Sequence, residues 1–263
     1  IASDGSGGVL VAGGSFGPTY LGMTDWSSSG LTACAYVARV STTGAVEWTL
    51  QPARPDALTQ WSTGCVGSQL ADVASDGQGG ALLAGFFRGS CAVGASNLIG
   101  SSSTINLFVM RVNSAGAIQW TVQSNCQSSF SLQGLRIAYD DQFGALMLGS
   151  FGGTCTFGTT SLTGTTTSGR LDTFLMRLSP VGSVEWAIHA RTAQAHPAPA
   201  PYVGNVAVLP SAGAALVGGT FNGIATFTGT DGMSVNLTSA GDPDVFVMRV
   251  SATGIIQWAI REG

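Results

Sequence analysis

One hairpin pattern recurs four times in this chain, as CAYVARVSTTGAVEWTL, NLFVMRVNSAGAIQWTV, DTFLMRLSPVGSVEWAI and DVFVMRVSATGIIQWAI. Its Trp residues are Trp48, Trp120, Trp186 and Trp258, spaced 72, 66 and 72 residues apart. An Arg stands nine residues before each Trp (Arg39, Arg111, Arg177, Arg249), and a Gly four before it (Gly44, Gly116, Gly182, Gly254). Agreement at both offsets in all four places makes this an internal repeat. A repeat constrains the fold more than any local propensity does.

Each Gly closes a Ser/Asn-x-x-Gly turn. Ser or Asn starts a type I turn, and Gly takes the left-handed position that a bulged hairpin needs. Upstream lies a second signature: SDGSGGVLVAGGSF, SDGQGGALLAGFF, YDDQFGALMLGSF and PSAGAALVGGTF. There a turn feeds a short apolar strand ending near Phe16, Phe87, Phe151 or Phe221. Another strand precedes that turn, as in Leu70 to Ser75 and Leu135 to Tyr139. One unit therefore reads strand a, turn, strand b, long excursion, strand c, turn, strand d. In strand c, Phe246, Met248 and Val250 point one way and Val245 and Val247 the other. Both faces are apolar, so both are expected to be covered. No helical stripe persists anywhere.

The expected fold is all-β: four repeats of a four-stranded antiparallel unit, β-propeller-like, as a small ring or part of a larger propeller or array. It reads as a single repeat domain over 1–263, with units at about 1–50, 66–123, 132–190 and 203–261. Length and composition agree. The 263 residues are 44% hydrophobic and only 9% charged, enough to bury a core despite the abundance of Gly and Ser. All ten basic residues are Arg. A net charge of −4 argues against a nucleic-acid partner, which calls for a basic stripe. No apolar run reaches the ~18 residues of a membrane-spanning helix. The opening IASDGSGG has no Met, signal peptide or tag, which fits a mature product, a processed fragment or part of something longer.

The order D-x-x-G-x-x-x-x-x-G-x-F, then F-G, then D-x-F-V-x-[KR]-[LV]-x-x-x-G-x-x-x-W resembles the bacterial SBBP-type β-propeller repeat of secreted proteins. Asp76, Gly85, Phe87, Phe108, Arg111, Gly116 and Trp120 carry the resemblance in the second unit. Phe157, Gly158, Asp172, Phe174 and Trp186 carry it in the third. The fourth unit departs at Pro210, where the turn Asp is missing, and Cys34 and Asn106 replace the strand-c Asp. The resemblance implies a propeller-like fold and no particular activity.

Five cysteines are present. Cys65 and Cys126 precede strand a of units two and three, and Cys91 and Cys155 each lie four residues after the strand-b Phe. The two slots are filled together in two units and empty together in the fourth. This points to disulfides Cys65–Cys91 and Cys126–Cys155, and hence to an oxidising compartment and export to the cell surface or beyond. Cys34 is left over, either buried or paired with another segment or subunit.

No residue pattern marks catalysis. Of the two histidines, His189 precedes ARTAQAHPAPAPY and His196 lies within it, and they lack the companions a zinc site needs. No nucleophile elbow marks a Ser/His/Asp triad. The Asp/Gly turns and Asp140–Asp141 lack the alternating ligands of a calcium loop. Carboxylates for glycoside hydrolysis would have to come from Asp25, Asp56, Asp72 or the Glu47/Glu185 pair. Those two Glu precede equivalent Trp residues, so repetition accounts for them. Asn236-Leu237-Thr238 is a formal glycosylation sequon. The four repeated Arg are expected to bridge to carbonyls or to an Asp (Asp76, Asp140, Asp172 or Asp244), the alternative being an anion-binding ring. The repeated Trp are expected to pack between units.

No cofactor, metal site or catalytic residue is therefore expected. The first functional reading is a non-catalytic exported module of structure or surface assembly. Its partners would be copies of itself or other surface proteins, perpetuated through open strand edges. The second is a ligand- or glycan-binding propeller using the variable b–c excursions, with Tyr20, Trp26 and Trp61 as contact residues.

Overall fold

In a computed structural model of the chain, the residues described are 1–15, 20–21, 24–25, 34–50, 68–93, 96–127, 133–140, 144–164, 171–192, 202–209, 213–241 and 243–263. Among them every regular element is a β-strand. No helix among them is long and apolar enough to cross a membrane. The chain falls into two compact units, Ile1–Asn125 and Cys126–Gly263, whose boundary lies in the link between the second and third sequence repeats.

The first unit holds β1 (Ala2–Ser3), β2 (Val9–Ser15), β3 (Tyr20–Leu21), β4 (Thr24–Asp25), β5 (Cys34–Val40), β6 (Val46–Leu50), β7 (Gln69–Ser75), β8 (Ala81–Phe87), β9 (Ser90–Val93), β10 (Ser96–Ile99), β11 (Asn106–Val112) and β12 (Ile118–Cys126). The strands pair in the order β1-β2-β5-β6, and again as β7-β8-β11-β12, all antiparallel. The second unit holds β13 (Gln133–Tyr139), β14 (Ala145–Phe151), β15 (Thr154–Phe157), β16 (Thr160–Thr163), β17 (Asp172–Leu178), β18 (Val184–Thr192), β19 (Tyr202–Leu209), β20 (Ala214–Phe221), β21 (Ile224–Thr228), β22 (Ser234–Thr238), β23 (Asp244–Val250) and β24 (Ile256–Glu262). Its sheets run β13-β14-β17-β18-β21-β22 and β19-β20-β23-β24.

The c–d hairpins share one register: Arg39, Arg111, Arg177 and Arg249 each sit opposite the Trp of their own copy. A bulge follows every Arg, and the turn Gly has φ between 77° and 85° in all four. The Ser or Asn that opens the turn is there for its side-chain oxygen. Asn113 Oδ1 accepts the N–H groups of Ala115 and Ala117, and Ser251 Oγ accepts those of Thr253 and Ile255.

Strand b ends in Gly and an aromatic because of a close cross-strand approach. Gly85 and Gly149 stand opposite Phe108 and Phe174, and a Cβ at either Gly would lie 2.7–2.8 Å from that ring. Phe87, Phe151 and Phe221 are fully buried and meet Phe108, Phe174 and Phe246 edge-on at 5.8–6.3 Å. Each such ring contributes about 1.5–3 kcal/mol by leaving water.

The b–c excursions, read from sequence as loops, fold into hairpins of their own: β9–β10, β15–β16 and β21–β22, with a short β3–β4 pair in the first copy. β21 pairs with β18, His189 opposite Thr228 and Thr192 opposite Ala225. The third copy's sheet is therefore extended by the fourth copy's excursion. A self-contained four-stranded blade was expected there. The alternating Thr and apolar residues of β21, burial pattern in and out, supply a free strand edge that the sequence hid among Ser and Thr.

Coverage of strand c also differs between copies. β11 and β17 are buried on both faces, as expected, whereas β23 is buried only at Asp244, Phe246, Met248 and Val250.

Candidate functional site

The recurring charged residues converge on a single device. Asp4 folds a five-residue loop around its own carboxylate: Oδ1 accepts the N–H groups of Ser6 and Gly8, both at 2.8 Å, and the Asp4 N–H donates to the Gly8 carbonyl. Asp76 does the same with Gln78 and Gly80, and Asp140 accepts from Gly144. The fifth position must be Gly, because a Cβ on Gly8, Gly80 or Gly144 would run into the Asp carboxylate. The second oxygen of each Asp is left for the Arg of the same copy. Arg39 meets Asp4 at 3.0 Å, Arg111 meets Asp76 at 3.0 Å and Arg177 meets Asp140 at 2.9 Å, with all three carboxylates buried. The Ser6 N–H, its hydroxyl, Arg39 and the Gly8 N–H together outweigh desolvation and hold the Asp4 carboxyl at about 2. A carboxylate wrapped by backbone donors and a guanidinium is a loop-forming group.

Of the four Asp residues expected as Arg partners, Asp76 and Asp140 serve that role, and Asp4 is the third. Asp172 and Asp244 begin β17 and β23, at the far end of the strand from the Arg, and Asp244 pairs with Arg261 at 2.7 Å. Glu47 lies 3.2 Å from Arg39 Nη1 and Glu185 3.2 Å from Arg177 Nε. Asp4 was legible, since SDGSGG repeats the pattern of SDGQGG.

The Arg and its Trp also grip the next copy. Arg177 donates to the Ala252 carbonyl at 2.7 Å, and the Trp186 indole N–H donates to the same oxygen at 2.9 Å. The Trp186 ring lies over Gly254, where a Cβ would stand 2.9 Å from it. In the first unit the arrangement recurs with the same offsets. Arg39 reaches the Ser114 carbonyl at 3.5 Å, the outer limit of a hydrogen bond, and Trp48 lies over Gly116, again 2.9 Å from a would-be Cβ. Trp48 Nε1 is buried and has no hydrogen-bond partner among the described residues. The turn Gly thus meets two demands, positive φ and an aromatic ring on its α-carbon. The receiving carbonyl left no trace in the sequence, because any residue supplies one.

Cys126 and Cys155 form the expected disulfide, 29 residues apart, tying residue 126 to β15. Cys91 is also half of a disulfide, while its expected partner Cys65 lies outside the described residues. So do Trp26, Trp61, Phe16, Asp56, His196 and the side chains of Tyr20, Asp25 and Cys34. His189 on β18 is half-buried. It accepts a hydrogen bond from Arg191 Nε at 3.1 Å and packs edge-on against Phe151. Burial, aided by the Arg191 charge and opposed by Asp172, lowers its pKa from the ordinary 6.5.

Two small cavities lie between sheets. One of about 20 Å³ is lined by Val37, Leu70, Leu83, Phe108 and Met110, and one of about 10 Å³ by Leu148, Leu175, Ile188 and Met248. Neither has room for more than about one water. Among the described residues no three His, Cys, Asp or Glu side chains cluster at metal-binding distance. Compared with known proteins, the chain matches no family model and no curated protein.

Proposed function

We propose that this chain is a non-catalytic, exported β-repeat protein of the SBBP-like, propeller-related type, acting as a structural or surface-assembly module. The observation that carries this reading is the use made of the recurring polar and aromatic residues. Arg39 with Trp48, and Arg177 with Trp186, hold one copy to the turn of the next. Residues repeated along the chain for joining copies are the equipment of an array.

The β21–β22 hairpin, which adds to the preceding copy's sheet, supports a continuous array more than separate blades around a ring. The Cys126–Cys155 bond is compatible with an oxidising compartment and supports export. Copies of the same chain, or other surface proteins built alike, are the partners this reading names. Sedimentation velocity and light scattering on the oxidised chain, over a wide concentration range, test it. Concentration-dependent association is the expected result, and a monodisperse monomer at the highest concentration counts against assembly.

A further inference from the structure

Both junctions within the units obey one rule. The sheet face that carries the Arg and Trp of one copy packs against the opposite face of the next. Leu10 and Val37 pack with Val73, Leu83, Phe108 and Met110 in the first unit. Leu148, Leu175 and Ile188 pack with Val217, Phe246 and Met248 in the second. The Trp covers the neighbour's turn Gly in both: Gly116 is half-buried and Gly254 buried.

The fourth copy has the same donor face, uncovered. Trp258 is 40% exposed, Val245 49% and Ile260 59%, and the three share a face with Arg249. Arg249 Nε is buried and without a hydrogen-bond partner among the described residues. That orphan Nε reflects the missing turn Asp, which accepts from Nε in the other copies. The exposed apolar surface beside Arg249 is what marks an interaction site. The first copy has the matching acceptor face, partly uncovered. Val9 is 38% exposed, with Val11, Tyr36 and Val40 half-buried beside it. Its turn Gly44 is exposed, with nothing within 4 Å of a would-be Cβ.

We propose that the Arg249–Trp258 face of one molecule docks on the first copy of a second molecule of this chain. Trp258 covers Gly44, and Arg249 and the Trp258 indole donate to the Thr42 carbonyl. Thr42 occupies the turn position held by Ser114 and Ala252 in the two junctions already formed. A second molecule of this chain is the occupant because its first copy carries the turn, the glycine and the apolar face in the arrangement those junctions use. The contact is head-to-tail, so it propagates. This deepens the assembly reading and rests on it.

The test uses the full chain and two variants, Trp258→Ala and Gly44→Asn. Asn tolerates the left-handed conformation while placing a side chain where the ring must lie. Each variant, folded by circular dichroism, is expected to self-associate at least tenfold more weakly than wild type in sedimentation velocity. Mixed in equal amounts, the two are expected to form a one-to-one dimer and nothing larger, because each retains the end the other lost. Association unchanged in both variants, or a mixture that stays monomeric, overturns this contact and leaves assembly by another surface standing. A wild-type chain that never associates overturns this contact and the assembly reading together.

Discussion

Trp186 donates its indole N–H to the carbonyl of Ala252, sixty-six residues further on, at 2.9 Å. The same oxygen takes a second hydrogen bond from Arg177. One backbone carbonyl therefore anchors both a ring and a guanidinium from the preceding copy. Its position is fixed by a turn whose Gly254 is bare enough to receive the ring. Stability across this junction depends on two hydrogen bonds to one carbonyl and on apolar burial beside it, so its parts are expected to be strongly coupled.

Trp186→Ala is expected to destabilise the chain by about 2–4 kcal/mol, from lost ring burial and the loss of one of the two hydrogen bonds to the Ala252 carbonyl. Trp258→Ala, at the equivalent but exposed position, is expected to cost less than about 1 kcal/mol in dilute solution. Urea unfolding of both variants at low protein concentration makes the comparison. Equal losses would show that the ring's value lies in its own hairpin.

The turn glycines allow a second paired comparison. Gly44 and Gly116 have φ of 81° and 77°, so an Ala at either meets the same backbone strain, about 1 kcal/mol. Only at 116 does the new methyl also meet a Trp ring, so Gly116→Ala is expected to cost a further 1–3 kcal/mol or so. The difference in urea midpoint between the two variants, at unchanged m-value, measures the ring contact alone.

The parts of this fold legible in the sequence are those where a side chain has no substitute. The left-handed turn requires Gly44, Gly116, Gly182 and Gly254, and the close cross-strand approach requires Gly85 and Gly149, so spacing alone located them. The Asp loop was only half legible. Asp and the Gly four residues later form one device, and the fourth copy lacks both, with Pro210 and Ala214 in their place. That joint loss is why Arg249 has no carboxylate from its own turn. What stayed hidden depends on backbone. The β18–β21 pairing uses N–H and C=O groups that every residue has, and the landing point of the Arg–Trp grip is a carbonyl. Tyr20, Trp26 and Trp61, singled out as binding residues, are left as a sequence expectation that a glycan-array screen tests.

Among the described residues, Asp4 and His189 have displaced pKa values. Asp4 has its pKa depressed to about 2 from an ordinary 3.8, so the unfolded chain binds its proton first as pH falls. The stability from this carboxylate is full above about pH 4 and is lost as pH drops toward 2. Asp4→Asn is expected to be less stable at neutral pH and to show a shallower loss across that window. His189 is also depressed, so protonation favours the unfolded state and its contribution fades as pH falls below 6.5. His189→Gln is expected to flatten the stability profile below about pH 6.5, and to leave the acid window of Asp4 unchanged. Urea midpoints at half-unit pH steps separate the two.

The Cys126–Cys155 bond closes a 29-residue separation, for which the chain-entropy relation gives about 3.5 kcal/mol of stabilisation through the unfolded state. The loop it closes contains β13 and β14, strands that build the buried side of the second unit. Cys126→Ser/Cys155→Ser is therefore expected to lower stability by about 2–4 kcal/mol while leaving the antiparallel sheet signal in circular dichroism intact. Single serine variants are expected to be no more stable than the double variant, since either one opens the loop. Peptide mapping without reductant checks the premise on protein recovered from its native compartment. A 126–155 cross-linked peptide is the expected product. Two free thiols there, with unfolding unaffected by reductant, would remove both the stabilisation and the support this bond lends to export.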